Sequence, residues 1–283
     1  MSPQKNKLFE NLVIVILCAG KGTRLKKFIS DIPKALIKIK SLNNLSILYH
    51  TINCFFNLGA NHICIVKGHL GYKIDEFIDS IQKENPSIKE NLFIIDSKKQ
   101  YQLGPLYSFL SLTNYNEVFK KIFFYLLIPG DTFFEFNLMN KITSTLSENL
   151  SHLLSYPIIF YRIIKPELLH IKPKSRRISI VETTKKDFKE FLNRIKITKI
   201  SEISKFEEIK QVIPAFLFSY EFINDISKFD KTSNLNTVRQ IINSMISEGK
   251  KILAIRIDNV GNFYDIDYKS DLIELNKKKG TSS

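Results

Sequence analysis

Cysteine is scarce in this chain. The three present, Cys18, Cys54 and Cys64, form no CxxC pair and have no companion histidine at zinc-ligand spacing. That argues against a zinc module or a disulfide framework, and reads as small buried apolar side chains in a reducing compartment. Long apolar runs are missing as well. The run LVIVILCA from Leu12 is too short to span a bilayer and ends in a glycine loop, so it reads as a strand and not as a signal peptide or membrane anchor. There is no internal repeat and no low-complexity linker. No long basic block or interleaved basic and aromatic motif occurs either, although 42 Lys and Arg against 28 acidic residues give a net charge of +14. Positive charge spread this evenly argues against a nucleic-acid partner and favours phosphorylated small molecules. The expectation is a soluble cytoplasmic protein with no membrane insertion.

A 44% apolar composition over 283 residues supports a substantial core. Strand-length apolar runs recur: LVIVILCA, HICIVKG at His62, NLFIID at Asn91, IFFYLLIPGD at Ile122, HLLSYPII at His152 and KILAIRI at Lys251. Runs without polar alternation suit strands covered on both faces. Helical patterns lie between the early ones, at Ser46–Leu58 with Gly59 as C-cap, and in YKIDEFIDSIQKE after Gly71. This alternation predicts an α/β fold with a doubly wound, mostly parallel, Rossmann-like sheet. From Ile158 to Pro214 the pattern changes. RRISIVETTKK and RIKITKISEI read as exposed strands flanking a short helical DFKEFLNR, which predicts a small antiparallel insertion or lid. The helix TVRQIINSMISEG and the segment DLIELNKK follow. Residues 1–275 read as one domain with the 158–214 insertion inside it, and 276–283 as a disordered polar tail.

The stretch VILCAGKGTRL carries the first chemical signal. Its strand ends at Cys18 or Ala19, and Gly20 and Gly22 let backbone amides approach a ligand, with Lys21 and Arg24 as cations beside them. It is neither a Walker A loop nor a complete dinucleotide fingerprint, and by itself it could be a basic turn. The second signal is DIPKALIKI, where Pro33 fixes the backbone just before Lys34.

Together these segments resemble the nucleotidyltransferases that make activated sugars and cofactors, whose glycine-rich loop ends in Thr-Arg-Leu and is followed by Pro-Lys. The matching residues are Ala19, Gly20, Gly22, Thr23, Arg24 and Leu25, then Pro33, Lys34 and Leu36. FFYLLIPGDTFF resembles the family's strand ending in a metal-binding aspartate, here Asp131. GNFYDIDYKSDLIELN resembles its C-terminal aspartate segment, with Phe263 in place of tryptophan. GPLYSF is similar to a segment of the molybdenum-cofactor guanylyltransferases, so Gly104 and Pro105 fall where backbone passes near the nucleotide. VKGHLGYKIDEF is also similar to a family stretch and puts His69 where tyrosine is common.

The resemblance implies transfer of an NMP group from an NTP to a phosphorylated small molecule, a sugar 1-phosphate first, with pyrophosphate leaving. Such chemistry needs alignment of two anions and neutralisation of their charge. Arg24 and the loop amides would hold the triphosphate, Lys34 would neutralise charge at the reacting phosphates, and Mg²⁺ would sit on Asp131 and Asp265, with Asp267 as the alternate second ligand. Each residue also has a plainer role: Asp131 as a turn residue or helix N-cap, one of Asp265 and Asp267 as a solvated strand residue, Lys21 as a surface cation, Asp271 in the first turn of the last helix. Arg176, Arg177 or Glu182 would face the acceptor. A cofactor precursor or a headgroup phosphate such as phosphocholine or inositol phosphate is the alternative acceptor. A metal-dependent glycosyltransferase or a non-catalytic nucleotide-binding homologue is the alternative class.

Overall fold

The computed structural model describes residues 3–25, 31–148, 155–169, 176–186, 189–203, 206–229, 235–258 and 260–277. The helices in chain order are α1 (Pro3–Glu10), α2 (Ile47–Asn57), α3 (Gly71–Glu84), α4 (Pro105–Leu110), α5 (Phe136–Glu148), α6 (Ile200–Ile203), α7 (Tyr220–Ser227), α8 (Val238–Ser247) and α9 (Lys269–Lys277). The strands begin with β1 (Leu12–Leu17), the short β2 (Lys38–Ile39) and β3 (Leu45–Ser46), then β4 (His62–Lys67), β5 (Leu92–Asp96), β6 (Phe124–Pro129) and β7 (Thr132–Phe134). The second half adds β8 (Ile158–Ile164), β9 (Arg177–Lys186), β10 (Lys189–Lys199), β11 (Ile209–Ser219), β12 (Leu253–Arg256) and β13 (Phe263–Asp265).

Nine strands form one sheet in the order β5-β4-β1-β6-β11-β8-β12-β10-β9. Its first part, β5 to β6, is parallel throughout. Beyond β6 it is mixed: β11 runs antiparallel to both β6 and β8, whereas β12 is parallel to β8. The alternating side chains of β1 show why the sheet is buried on both sides. Leu12, Ile14 and Ile16 join one apolar cluster with residues of α1, α2, α3 and α5, and Val13 and Val15 join the other with residues of α4, α7 and α8. Local caps agree with this layering. Ser46 Oγ accepts from Tyr49 N at the start of α2, and Thr237 and Gln240 form a reciprocal capping box on α8.

Several expectations are corrected. The sheet is not mostly parallel, since β11 against β6 and β8, and β10 against β12 and β9, all pair antiparallel. The stretch 158–214 is antiparallel in part but woven into the sheet, since the apolar runs of β8 and β11 fill interior positions instead of a separate lid. The short helix expected in DFKEFLNR is strand for its described part. Residues 189–194 belong to β10, paired antiparallel along β9, while Asp187 and Phe188 lie outside the described residues. Cross-strand bonding, together with Asn243 of α8 accepting from Ile195 N at 2.8 Å and donating to Ile195 O at 2.9 Å, overrides the local helical pattern. At the C-terminus α9 takes in Asn276 and Lys277 of the expected tail, and 278–283 lie outside the described residues.

Candidate active site

The glycine loop is clamped where the parallel strands end. Gly130 N donates to Leu17 O at 2.8 Å, Cys18 N to Val66 O at 2.8 Å, and His69 N to Ala19 O at 3.2 Å. Gly130 must be glycine, because a Cβ there would sit 2.6 Å from Cys18 Sγ. Beyond Ala19 the chain leaves regular structure. Gly22 adopts φ +59°, Leu25 N donates back to Gly22 O at 3.0 Å, and buried Leu25 anchors the turn. Gly20, Thr23 and Arg24 are exposed along it. A shallow cleft opens beside the loop, lined by Gly20, Lys21, Gly22, Pro33, Lys34 and His69 among others.

Lys34 is placed by a single tight turn. Pro33 enters with φ −54°, Leu36 N and Ile37 N return to Pro33 O and Lys34 O, and Ala35 buries itself in the core. The lysine side chain then runs past Gly22, where an added Cβ would lie 3.1 Å from Lys34 Cγ. Its ammonium donates to Asp131 at 3.1 Å and to Asp267 at 2.8 Å. Arg24 donates to the other oxygen of Asp267 at 2.6 Å. Loop, lysine and two aspartates thus converge from four distant segments. Burial works against the charge on Lys34, but Asp131 and Asp267 outweigh it and hold the ammonium above its ordinary pKa. Burial would likewise raise Asp267, but Lys34, Arg24 and Arg176 hold it below the usual carboxylate range.

The aspartates come from a small two-stranded ribbon, β13 against β7, in which Asp265 faces Thr132 and Phe263 faces Phe134. Asp131 precedes β7 directly, and its carbonyl accepts from Ile266 N at 3.1 Å. It is therefore no helix N-cap, because β7 separates it from α5. Asp265 behaves differently from Asp267. It is half-buried, accepts from Thr132 Oγ1 at 2.7 Å, and is pushed above its ordinary pKa by desolvation. Asp271 lies in the first turn of α9, where its Oδ2 accepts from Asp267 N at 3.0 Å and Tyr268 N at 2.8 Å and so orients the Asp267 backbone. Its Oδ1 accepts from buried Arg176, which also donates to Asp265 O at 3.1 Å.

Arg176 is thus spent on a buried ion pair behind the ribbon, and the expectation that it faces an acceptor is corrected. Arg177 is exposed at the start of β9, and Glu182 on the same strand pairs with Arg194 and Lys196. Gly104 adopts φ +124°, and a Cβ there would meet Asn236 O at 2.5 Å; Pro105 opens α4 beside it. Lys21 lies over the Tyr101 ring at 5.8 Å, and the His69 ring is 6.1 Å from that of Tyr101. The Thr132–Asp265 and Arg176–Asp271 pairs went unread in the sequence. The aspartate pattern of DIDYKSD carried the only signal for them.

A glycine-rich loop, a lysine and paired carboxylates at the strand ends of an α/β sheet define a nucleotidyl-transferring enzyme. Residues 13–157 match the nucleotidyl transferase family model, and the chain belongs to that family. Over 72 residues it is 40% identical to the probable glucose-1-phosphate cytidylyltransferase of Bacillus subtilis, a match covering 25% of this chain and 27% of that relative. It is 23% identical to CTP:phosphoglutamine cytidylyltransferase of Campylobacter jejuni over 91% of this chain and 96% of that relative. The structure of UDP-glucose pyrophosphorylase complexed with UDP-glucose superposes with a TM-score of 0.67 at 13% identity, covering 94% of this chain and 97% of that one, a likeness of fold. Among the described residues no helix is long and apolar enough to cross a membrane.

Proposed function

We propose that the protein is a cytoplasmic, Mg²⁺-dependent enzyme that transfers an NMP group from an NTP to a phosphorylated small molecule, with a sugar 1-phosphate as the first candidate, and releases pyrophosphate. The observation that carries this reading is Lys34 between Asp131 and Asp267, beside the loop of Gly20, Gly22 and Arg24.

In the reaction a phosphate oxygen of the acceptor attacks the α-phosphorus, and the bond to the β-phosphate oxygen breaks. Exposed Gly20 leaves the loop backbone open to the triphosphate, and the amides of Ala19, Gly20, Gly22 and Thr23 supply donors there. Arg24 and Lys34 bring positive charge to the two anions as they approach. Gly104 and Pro105 shape the backbone on the nucleotide's far side. Asp131 and Asp267 suit Mg²⁺: both are hard oxygen donors at least partly open to solvent, and one cation already bridges them. Among the described residues no third carboxylate, histidine or cysteine completes a cage, as suits an ion that keeps positions for phosphate and water. When bound, the ion would neutralise charge on the transferring phosphate. Asp265 then serves as a support for the ribbon, with Asp267 as the second ligand.

The full-length likeness to a phosphoglutamine cytidylyltransferase favours a second reading, in which the acceptor is a phosphorylated non-sugar such as a cofactor precursor or a headgroup phosphate. We take 1–275 as one catalytic unit whose 158–214 stretch selects the acceptor. The test is a matrix of the four NTPs against phosphorylated acceptors with Mg²⁺, read as pyrophosphate release. Silence throughout, or unchanged turnover in Arg24→Ala and Asp131→Asn, would refute it.

A further inference from the structure

Two arginines flank the aspartate ribbon, and their electrostatic situations differ. Arg176 is buried and paired with the carboxylate of Asp271. Arg162, on β8, has no such partner. It donates from Nε to Gln211 Oε1 at 2.9 Å and from Nη1 to Asn262 Oδ1 at 3.1 Å, both neutral amide oxygens, and its guanidinium lies 4.5 Å above the Phe263 ring. Among the described residues it makes no salt bridge to a carboxylate. Asp265 and Glu135 act on its charge from a distance, and burial still holds it below its ordinary pKa. Taking a cation out of water costs free energy that two amide oxygens and a ring face recover only in part. An arginine kept in this state is poised to gain a charged partner.

The position fits a ligand in the proposed active site. Gln211 is the cross-strand partner of Arg162 on β11, so the guanidinium is fixed by two interior strands. Phe263 and Asp265 are two residues apart on β13 and share a ribbon face, at roughly 7 Å spacing. Asp265 interacts electrostatically with both Arg162 and Asp131. Arg162 therefore lies along the ribbon from Asp131, on the side formed by β8 and β11, where the far end of an acceptor whose phosphate sits at Asp131 would extend. A planar fork of donors above an aromatic ring suits a planar oxyanion.

We propose that the acceptor carries a carboxylate in addition to its reacting phosphate, and that Arg162, held by Gln211, Asn262 and Phe263, binds that carboxylate. This rests on the nucleotidyl-transfer reading and narrows it to phosphorylated amino acids, phosphorylated hydroxy acids and uronic acid 1-phosphates.

The test compares acceptors that differ only in the carboxylate: phosphoserine against phosphoethanolamine, and glucuronic acid 1-phosphate against glucose 1-phosphate. Each is assayed by pyrophosphate release with the preferred NTP, beside direct calorimetry of NTP binding. The carboxylated member of at least one pair is expected to be favoured by about tenfold or more in kcat/KM, the scale of one charge-assisted pair, and the pair that responds separates amino-acid from sugar acceptors. In Arg162→Gln that preference should shrink to within about twofold, with the KM for NTP unchanged, and Arg162→Lys should restore part of it. Nucleotide turnover with no carboxylate preference in either pair overturns the inference and leaves the nucleotidyl-transfer reading standing. Equal losses on both members of a pair, with a raised KM for NTP and a lower melting temperature, show Arg162 to be a structural clasp and also overturn it. Absence of NTP binding and turnover overturns both.

Discussion

Lys34 Nζ lies 2.8 Å from Asp267 Oδ1, across 233 residues of sequence, and the same ammonium reaches Asp131 at 3.1 Å. One cation thus bridges the carboxylates of two segments that are far apart in sequence. Removing it leaves two partly desolvated carboxylates facing one another. Lys34→Met, which keeps most of the bulk, should lower nucleotidyl transfer by roughly 10²–10³-fold, the usual loss when a preorganised charge-stabilising group is deleted. Pyrophosphate release by the variant measures this, and a loss under threefold would remove Lys34 from the reaction.

Asp265 and Asp267 should separate cleanly. Asp267→Asn strips the charge that Lys34 and Arg24 share, and turnover should fall by about 10²-fold or more while the fold survives. Asp265→Asn keeps an acceptor for Thr132 Oγ1 and removes a charge that burial already disfavours. Its melting temperature should stay level or rise, and its activity should remain within roughly tenfold of the parent. The reverse ranking in paired pyrophosphate assays would make Asp265 the second metal ligand.

Much of this was legible from residues alone where the signal was local. The run LVIVIL predicted a strand covered on both faces, and the helical patterns from Ser46 and Thr237 start where helices begin. The loop of Gly20 and Gly22, the Pro33–Lys34 pair and the aspartate after PG also stood out, and the fold brings them together. What stayed hidden depends on partners far apart in sequence. DFKEFLNR has helical spacing, and only pairing with β9 makes it strand. Nothing near Arg176 foretold its partner 95 residues on, nor near Arg162 the amide 100 residues on, because ion pairs and hydrogen bonds at such separation leave no periodicity. The same limit left Asp265 and Asp267 as alternatives: two residues apart they share a face in an extended strand, and only partners distant in sequence, Thr132 for one and Lys34 and Arg24 for the other, tell them apart.

The two loop glycines should respond differently to a methyl group. Gly22 holds a left-handed backbone and faces Lys34 Cγ, whereas Gly20 has no heavy atom within 4 Å of an added Cβ. Gly22→Ala should cost about 1–2 kcal/mol from the backbone alone and displace the lysine, so that stability and turnover fall together. Gly20→Ala should melt within a degree or two of the parent, as a surface change would, and act on the KM for NTP where the loop backbone meets phosphate. Thermal melts and NTP titrations of both variants check the contrast, and equal effects at the two positions would contradict it.

Acid sensitivity should trace in part to His50. Burial holds this imidazole below its ordinary pKa, and its bond to the Phe134 carbonyl offsets that only in part. Nε2 donates to Phe134 O at 2.8 Å, and the ring packs against Phe133 at 4.6 Å, so the neutral ring ties α2 to β7 beneath the aspartate ribbon. In the unfolded chain the ring titrates near about 6.5. As pH falls below that value the unfolded state binds a proton that the folded state resists, so unfolding becomes easier. Stability from His50 is therefore fully present above about pH 6.5 and is lost toward its lower folded value. His62, lowered by burial and by Lys120, adds a second contribution of the same sign. Melting temperature should decline from about pH 7 to pH 5, before most carboxylates titrate. His50→Gln keeps a donor for Phe134 O without titrating, so its profile should be flatter, with the remaining slope belonging to His62. Parallel profiles for parent and variant over that range would show that His50 is not buried in its neutral form.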